Sequence, residues 1–129
     1  IRLPGSGGAA DIATLAGRCV IIMNHERRRF VPSVNFVTSP GYGDGDGWRK
    51  SNGLKGGGPC RVITSLGIFS FDGAEMVLSS YHPRVPLRKI QDETGWDLKV
   101  ADNLQETRSP SAPELAAVRK YDPKGIWTS

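Results

Sequence analysis

The stretch Leu3-Pro-Gly-Ser-Gly-Gly-Ala-Ala-Asp-Ile12 places three closely spaced glycines directly before a predicted helix. The residues as far as Ala16 are mostly good helix formers, and Gly17 is a natural terminator. Glycine lets a reacting group approach bare backbone N–H groups, and a helix start adds unpaired N–H donors and the positive end of the helix dipole. This stretch is suited to bind a phosphate, a carboxylate or a developing oxyanion. A tight turn into a helix that binds nothing would have the same pattern.

A continuous apolar run, Cys-Val-Ile-Ile-Met at residues 19–23, follows the predicted helix. Such a run is typical of a strand that is buried on both faces of a parallel sheet. The polar residues 24–29, which end in Arg27-Arg28-Arg29, come directly after it. In open α/β sheets ligands bind at the carboxyl ends of the strands. We therefore expect residues 24–29 to lie near a ligand site.

The rest of the chain is predicted to form short elements. The first of them are a strand over residues 30–38, a surface loop over 42–59, one strand over 61–71 bent at Gly67, and a return strand over 75–80 after the Asp72-Gly73 hairpin signal. They are followed by a helix from Leu87 to residue 93 with Leu87 and Ile90 facing inward, a short strand over 96–98, and a short helix over 114–120. The pattern predicts an α/β or mixed fold with three or four core strands. A sheet this small leaves an edge uncovered, and the chain starts without methionine on its most suggestive loop. We therefore expect the fold to be incomplete without an upstream segment.

Composition restricts the class of protein. The 129 residues suffice for one domain, and the net charge of +4 is spread over 17 basic and 13 acidic residues. This balance is consistent with an anionic ligand, but it lacks the basic face with aromatic residues that nucleic-acid binding needs. No apolar run approaches the roughly 18 residues of a membrane span. Cys19 and Cys60 are interpreted as small buried side chains in a reducing compartment, with a disulfide as the alternative.

Several further motifs occur in a fixed order between Pro4 and about Leu98. They are Gly5-Ser-Gly-Gly-Ala-Ala-Asp11, Val20-Ile-Ile-Met-Asn-His25, Thr38-Ser-Pro-Gly41, Gly56-Gly-Gly-Pro-Cys-Arg-Val-Ile-Thr64, Gly67-Ile-Phe-Ser-Phe-Asp72, His82-Pro83 and Ile90-Gln-Asp-Glu-Thr-Gly-Trp-Asp-Leu98. In this order they resemble the β-subunit half of family I coenzyme A transferases. Both the glutaconate type and the second half of succinyl-CoA:3-ketoacid CoA-transferase are similar. The chain departs from the family at Asn24, where the family has the glutamate of an M-E-H motif.

The resemblance implies an α/β fold with an open, mostly parallel sheet and flanking helices, like that of CoA-transferases and ribose-phosphate isomerases. It implies transfer of CoA between carboxylic acids through an enzyme glutamyl-CoA thioester. The backbone N–H groups of Gly7 and Gly8 would then be the oxyanion donors, with Ala9 beside them. Arg28 would contact the CoA phosphates, and Ser39 would shape the pocket. Coenzyme A and acyl-CoA enter as substrates, with no permanently bound cofactor and no metal.

The resemblance also implies what lies outside this chain. The family's nucleophilic glutamate precedes the glycine loop, so we expect it in a missing N-terminal part of the β subunit. Glu26 is a poor substitute, because three arginines follow it and would hold it in ion pairs. Residues 1–98 would be the C-terminal portion of the β-subunit domain, and residues 99–129 an extension or arm. An α subunit would complete the site, in the cytoplasm, without nucleic-acid or membrane partners.

Two alternatives remain open at this point. The chain could be a non-catalytic ligand-binding or assembly module, because the same fold also occurs in isomerases and regulators. It could also belong to a CoA-ester hydrolase, in which water takes the place of the acceptor acid.

Overall fold

The computed structural model describes residue 5 and residues 7–126 of the chain. Leu3, Pro4 and Ser6, which belong to the predicted glycine loop, lie outside the described residues. The helices are α1 (Gly7–Leu15), α2 (Trp48–Ser51), α3 (Leu87–Asp92) and α4 (Ala112–Tyr121), and the strands are β1 (Cys19–Met23), β2 (Pro59–Thr64), β3 (Gly67–Asp72), β4 (Glu75–Tyr81) and β5 (Lys99–Glu106). None of these helices has the length and apolar character that a membrane crossing needs.

The five strands form one open sheet in the order β1-β2-β3-β4-β5. The pairs β1–β2 and β4–β5 are parallel, whereas β3 is antiparallel to both of its neighbours. Four of the five strands therefore run in one direction, and the predicted α/β fold with a mostly parallel open sheet is confirmed. Helix α3 makes the crossover from β4 to β5, as parallel neighbours require.

The single bent strand predicted over residues 61–71 is wrong, because the chain reverses there. Strands β2 and β3 are antiparallel, with Ile63 paired to Ile68. The Thr64 hydroxyl holds the reversal: it accepts hydrogen bonds from the backbone N–H groups of Leu66 and Gly67 at 3.1 and 3.0 Å, and it donates to the Gly67 carbonyl at 2.9 Å. The next reversal, after Asp72, is the predicted hairpin, and Asp72 pairs with Glu75.

The core lies between the sheet, helix α3 and the segment that follows β1. Its buried apolar side chains are Phe30, Val62, Leu66, Phe69, Leu78, Ile90 and Leu98. Ile90 is buried in α3 as predicted, but Leu87 is exposed, so that part of the prediction is wrong. The α3 helix thus contacts the core through one face only.

Residues 24–47 contain no helix or strand, which corrects the strand predicted over residues 30–38. Only Phe30 of that stretch is buried, whereas Val34, Phe36 and Val37 are exposed. Phe30 packs near Phe69 with ring centroids 6.1 Å apart. The apolar residues of this stretch therefore do not indicate a strand: one aromatic ring is buried in the core, and the rest of the stretch pairs with no described strand.

The last strand, β5, was not predicted at its observed position. The sequence suggested a strand over residues 96–98 and no further strand after it, but β5 spans Lys99–Glu106 and pairs with β4. It lies at the sheet edge and is largely exposed, so it lacks the apolar alternation that marks a strand. The Lys99 amine bonds to the carboxylates of Asp72 and Glu75 at 2.8 and 3.2 Å. Part of the segment predicted as an extension therefore belongs to the sheet.

Helix α4 occupies the position of the predicted terminal helix. It begins after Ser111 with a capping box, in which the Ser111 hydroxyl accepts from the Glu114 backbone and the Glu114 carboxylate accepts from the Ser111 backbone. These bonds, with Arg108 nearby, lower the pKa of Glu114 to about 2. The motif explains why the helix begins where the sequence predicts.

Strand β1 is in its predicted place but is not buried on both faces. Val20, Ile21 and Ile22 are all exposed, because β1 is the first strand of the sheet and helix α1 does not cover it. Within α1 no side chain is buried, and Ile12 and Leu15 face solvent. The prediction of burial on both faces is therefore wrong for this chain.

Candidate functional site

The two glycines predicted as oxyanion donors are the first two residues of helix α1. Gly7 has a φ of +41°, a conformation that favours glycine. Both glycines are exposed, and an added Cβ at either would meet no described atom within 4 Å. First-turn N–H groups have no partner within a helix, and outside the helix no described residue accepts a hydrogen bond from Gly7, Gly8 or Ala9. Among the described residues outside the helix, these three amides therefore have no acceptor.

The other end of α1 is held by a buried arginine that the sequence did not single out. The Arg49 guanidinium donates to the carbonyls of Thr14, Gly56 and Gly41 at 2.7, 2.8 and 2.7 Å. Gly56 must be glycine here, because a Cβ would lie 2.2 Å from the Ala16 carbonyl oxygen. The Gly-Gly-Gly motif and Arg49 together fix the C-terminal end of the helix whose N-terminal end carries the candidate donors.

We expect the Arg49→Met variant to lose about 1–3 kcal/mol of unfolding free energy, because three backbone carbonyls lose their donor. Hydrogen exchange of the Ala16 amide, which bonds to the Ile12 carbonyl at 2.9 Å, should become faster. Urea denaturation and exchange mass spectrometry would measure both effects. Arg88→Met is the control, since Arg88 is exposed and its pairing with Asp92 is long, at 3.7 Å; it should change stability by less than about 0.5 kcal/mol. Equal stability of the two variants would contradict the role of Arg49.

His25, at the carboxyl end of β1, is buried and connects three parts of the fold. Its Nδ1 lies 3.2 Å from the Thr64 hydroxyl and its Nε2 lies 3.1 Å from the Thr94 hydroxyl. The ring stacks on Phe30 with centroids 3.9 Å apart. Burial lowers the pKa of His25, and the negative charge of Glu93 opposes this in part. The contacts indicate a structural histidine.

Because burial lowers the pKa of His25 in the folded state, the unfolded chain takes up a proton first as the pH falls through about 6.5. The stability that the neutral ring contributes is therefore complete above that pH and is lost below it. We expect the urea concentration at the unfolding midpoint to decrease when the pH is lowered from 7.5 to 5.5. In His25→Gln this dependence should be much weaker, whatever the absolute stability of the variant. A wild-type midpoint that is constant or rises on acidification would contradict the assignment.

The basic residues after β1 have different surroundings. Arg27 donates to the Asp92 carbonyl at 2.6 Å and so ties the end of α3. Arg28 and Arg29 both pair with Glu26, and the hydrogen bond from Arg28 is the main cause that lowers the pKa of the Glu26 carboxyl. Arg28 is largely exposed and keeps donors for a second anion. Glu26 is ion-paired, as the sequence predicted.

Ser39 is half-buried and lies at a bend just before a turn, in which the Gly43 N–H donates to the Pro40 carbonyl at 2.7 Å. A nearby cavity of about 310 Å³ is lined by residues from Tyr42 to Gly57 and by Gly73. Its described lining does not include Ser39, Arg28 or the glycines of α1. The structure therefore does not bring the predicted site residues together in this cavity.

No group of three or more His, Cys, Asp or Glu side chains within the described ranges could hold a metal ion. His82 bonds through Nε2 to the Thr64 carbonyl at 2.8 Å, and Cys19 and Cys60 are both thiols. These contacts leave the histidines in structural roles.

The motif at residues 90–98 is also structural. The Gln91 side chain donates to the Trp96 carbonyl at 2.7 Å and accepts from the Leu98 N–H at 3.0 Å. Gly95 lies so close to the Phe30 carbonyl that a Cβ would be 2.6 Å from its oxygen. The motif fixes the α3–β5 connection against the core.

Comparison with known proteins gives three related results. Residues 1–93 match the family described as "Coenzyme A transferase". The B subunit of 3-oxoadipate CoA-transferase from Pseudomonas knackmussii is 39% identical over 124 residues, which cover 95% of this chain and 48% of that protein. The crystal structure of glutaconate coenzyme A-transferase from Acidaminococcus fermentans aligns with a TM-score of 0.85 and 37% identity, over 100% of this chain and 50% of that chain.

A relative that is named for a different activity is also similar. The cholesterol ring-cleaving hydrolase IpdB subunit of Mycobacterium tuberculosis is 33% identical over 110 residues, which cover 80% of this chain and 42% of that protein. The chain spans about half the length of the curated relatives it matches. The family match nevertheless covers most of the chain, and the fold agrees with it. By sequence and by fold, this chain belongs to the coenzyme A transferase family.

Proposed function

We propose that this chain is part of a CoA-transferase β subunit that moves CoA between carboxylic acids through an enzyme glutamyl-CoA thioester. The observation that carries the proposal is the position of two glycines at the N-terminal end of α1. There Gly7 and Gly8 are exposed residues, and no described residue outside the helix accepts a hydrogen bond from their N–H groups. Membership of the coenzyme A transferase family supports an acyl-CoA as the group they meet.

The proposed reaction places negative charge where such amides can act. A glutamate carboxylate attacks the carbonyl carbon of an acyl-CoA, and the CoA thiolate leaves as an acyl anhydride forms. The thiolate then attacks the glutamyl carbonyl of the anhydride, which releases the first acid and leaves the glutamyl-CoA thioester. The acceptor acid reverses these steps. Each attack puts a negative charge on a carbonyl oxygen, and preorganised N–H donors stabilise that charge.

In this proposal each site residue has a separate task. Gly7 and Gly8 donate their backbone N–H groups to the oxyanion, and Ala9 lies next to them in the first turn of α1. Arg28 contacts the CoA phosphates, for which its exposure and planar guanidinium are suited. Ser39 shapes the pocket from its turn. The nucleophilic glutamate is contributed from outside this chain.

The proposed partners are the part of the β subunit that this chain does not match and a CoA-transferase α subunit. The two relatives that are B subunits of CoA-transferases support such an assembly. Coenzyme A and acyl-CoA are substrates, and no resident cofactor is required. Residues 1–98 remain proposed as the β-subunit domain portion; of the proposed extension over residues 99–129, Lys99–Glu106 form strand β5 of the same sheet, and the remainder stays proposed as an extension. The free thiols of Cys19 and Cys60 support a reducing compartment such as the cytoplasm.

The test is reconstitution with polypeptides of the Acidaminococcus fermentans enzyme. The chain would be combined with that enzyme's other polypeptide and with the half of its B subunit that this chain does not match, and the complex would be isolated first. We expect incorporation of labelled glutaconate, or labelled 3-oxoadipate, into its own CoA ester, and a covalent CoA adduct by intact-mass spectrometry. Complexes without the chain should give neither. An isolated complete complex with no exchange and no adduct would contradict the proposal.

A CoA-ester hydrolase subunit is the second candidate; the similarity to the cholesterol ring-cleaving hydrolase IpdB subunit supports a hydrolytic reaction in general, because that name describes ring cleavage and no CoA ester. The two candidates differ in the fate of the CoA group, which a transferase passes to the acceptor acid and a hydrolase releases as free CoA. Loss of the thioester without any acceptor acid would indicate hydrolysis, whereas dependence on the acid indicates transfer. Tight CoA binding with neither activity would instead indicate a non-catalytic module.

A further inference from the structure

The cavity of about 310 Å³ lies at the amino ends of the parallel strands β1 and β2. Gly56 and Gly57 line it just before β2 begins, and the Gly57 N–H donates at 3.1 Å to the carbonyl of Gly17, which follows α1. The nine residues of α1 give the helix a rise of roughly 12 Å from its first residue to its last. The cavity therefore lies at the end of α1 that is opposite to the proposed oxyanion donors.

The wall of this cavity contains the buried guanidinium of Arg49. Arg49 is 7% exposed and donates three of its five N–H groups, all of them to backbone carbonyls. None of the ion pairs between described side chains includes Arg49 or Lys50, the second basic residue of the lining. A buried charge without a counter-ion is costly, and the arginine fork suits an oxyanion. Two N–H groups of Arg49 have no described acceptor, and its charge has no described counter-ion.

The lining also contains one carboxylate, that of Asp46, which forms no ion pair with a described basic side chain. It lies against the hairpin, where a Cβ on Gly73 would be 2.5 Å from Asp46 Oδ2. A carboxylate repels an anion but accepts a hydrogen bond from a hydroxyl group. A phosphate group, with a charge of about −1.5 to −2 and three acceptor oxygens, can pair with both basic residues of the lining. The charges together therefore favour a ligand that has a phosphate and, next to it, hydroxyl groups.

We infer that this cavity binds a small phosphate monoester with hydroxyl groups, whose phosphate contacts Arg49 and Lys50 and whose hydroxyl donates to Asp46. Five of the ten lining residues are glycine, so the ligand can come close to the backbone. Because Arg49 also donates to the Thr14 carbonyl at 2.7 Å, a phosphate that holds its guanidinium also steadies the C-terminal end of α1. The site does not rest on the proposed acyl transfer, and its test needs no activity.

NMR titration of the full chain with glycerol 1-phosphate tests the inference. We expect saturable amide shifts at residues 42–57 and Gly73, a dissociation constant below about 1 mM, and slower hydrogen exchange of the Ala16 amide. Methyl phosphate, which lacks the hydroxyls, and glycerate, which has a carboxylate instead of the phosphate, should each bind at least about threefold more weakly. No binding at about 10 mM ligand, shifts only at Gly7 and Gly8, or a preference for glycerate would each overturn the inference.

Two matched pairs of variants locate the ligand. Lys50→Gln should weaken binding of glycerol 1-phosphate about three- to tenfold, whereas Lys55→Gln, at an exposed residue of the same loop outside the lining, should not. Asp46→Asn should strengthen binding of methyl phosphate, because a like charge is removed, and Asp44→Asn should leave it unchanged. Equal effects of the two members of either pair would overturn the assignment, and circular dichroism confirms that all four variants remain folded.

Discussion

Replacing Gly8 by proline should lower the rate of CoA exchange in the assembled enzyme about 100- to 1000-fold. Proline has no backbone N–H, and loss of one oxyanion donor in an acyl-transfer enzyme costs about 2.7–4 kcal/mol of transition-state stabilisation. Gly8 is the second residue of α1, where a helix accepts proline because the N–H there has no intrahelical partner. The loss should appear in kcat rather than KM, since the charge develops only during the reaction.

The matched control is Gly8→Ala, which keeps the N–H group. An added Cβ at Gly8 meets no described atom within 4 Å, so alanine should change the exchange rate by less than about threefold. Initial rates over a range of acyl-CoA concentrations would separate kcat from KM. If the proline and alanine variants had the same kcat, the Gly8 amide would not be an oxyanion donor.

Replacing Phe69 by alanine should have the largest effect on stability, a loss of about 3–5 kcal/mol of unfolding free energy. The Phe69 side chain is 0% exposed and lies at the centre of the core, with its ring 5.5 Å from that of His25 and 6.1 Å from that of Phe30. Alanine would leave a cavity that the paired strands on either side cannot fill. Because the unfolding free energy of a domain is typically about 5–15 kcal/mol, this loss is a large part of the total stability.

Phe36→Ala is the control for the same change of side chain at the surface. Phe36 is 74% exposed and lies outside the helices and strands, so its loss should cost less than about 0.5 kcal/mol. Urea denaturation of the two variants at one pH gives the comparison. Similar losses of unfolding free energy in both variants would show that the Phe69 side chain does not stabilise the core more than an exposed phenylalanine does.

The elements that the sequence predicts correctly are those with a strong local signal. The apolar run at β1, the Asp72-Gly73 turn and the Ser111 helix start each specify structure within a few residues. Strand β5 has no such signal, because its polar residues face solvent and its pairing with β4 comes from the α3 crossover. The turn at Thr64 depends on a hydroxyl group that bonds along the chain, which apolar periodicity does not reveal.

For the candidate site, the sequence predicts the anion-binding loop but not its support. The glycines before a helix are recognisable because their chemistry is local. Arg49 is not recognisable, since its three acceptors, the carbonyls of Thr14, Gly41 and Gly56, come from separate segments. From sequence alone, a single arginine in a polar loop is predicted to be a solvent-exposed charge, because only the fold brings those carbonyls close to it. The signal that could have found it is the Gly-Gly-Gly motif, which indicates close backbone contact.

The attachment of α1 has a consequence for how damage to this protein would be detected. The helix has no buried side chain and is held at its C-terminal end by Arg49 and the glycines around Gly56. A nine-residue helix with two glycines is marginal by itself. Its first turn can therefore fray while the core gives an unchanged melting curve. A preparation judged intact by calorimetry could have lost the proposed oxyanion-binding end of α1, and amide-resolved exchange or NMR would be needed to see it.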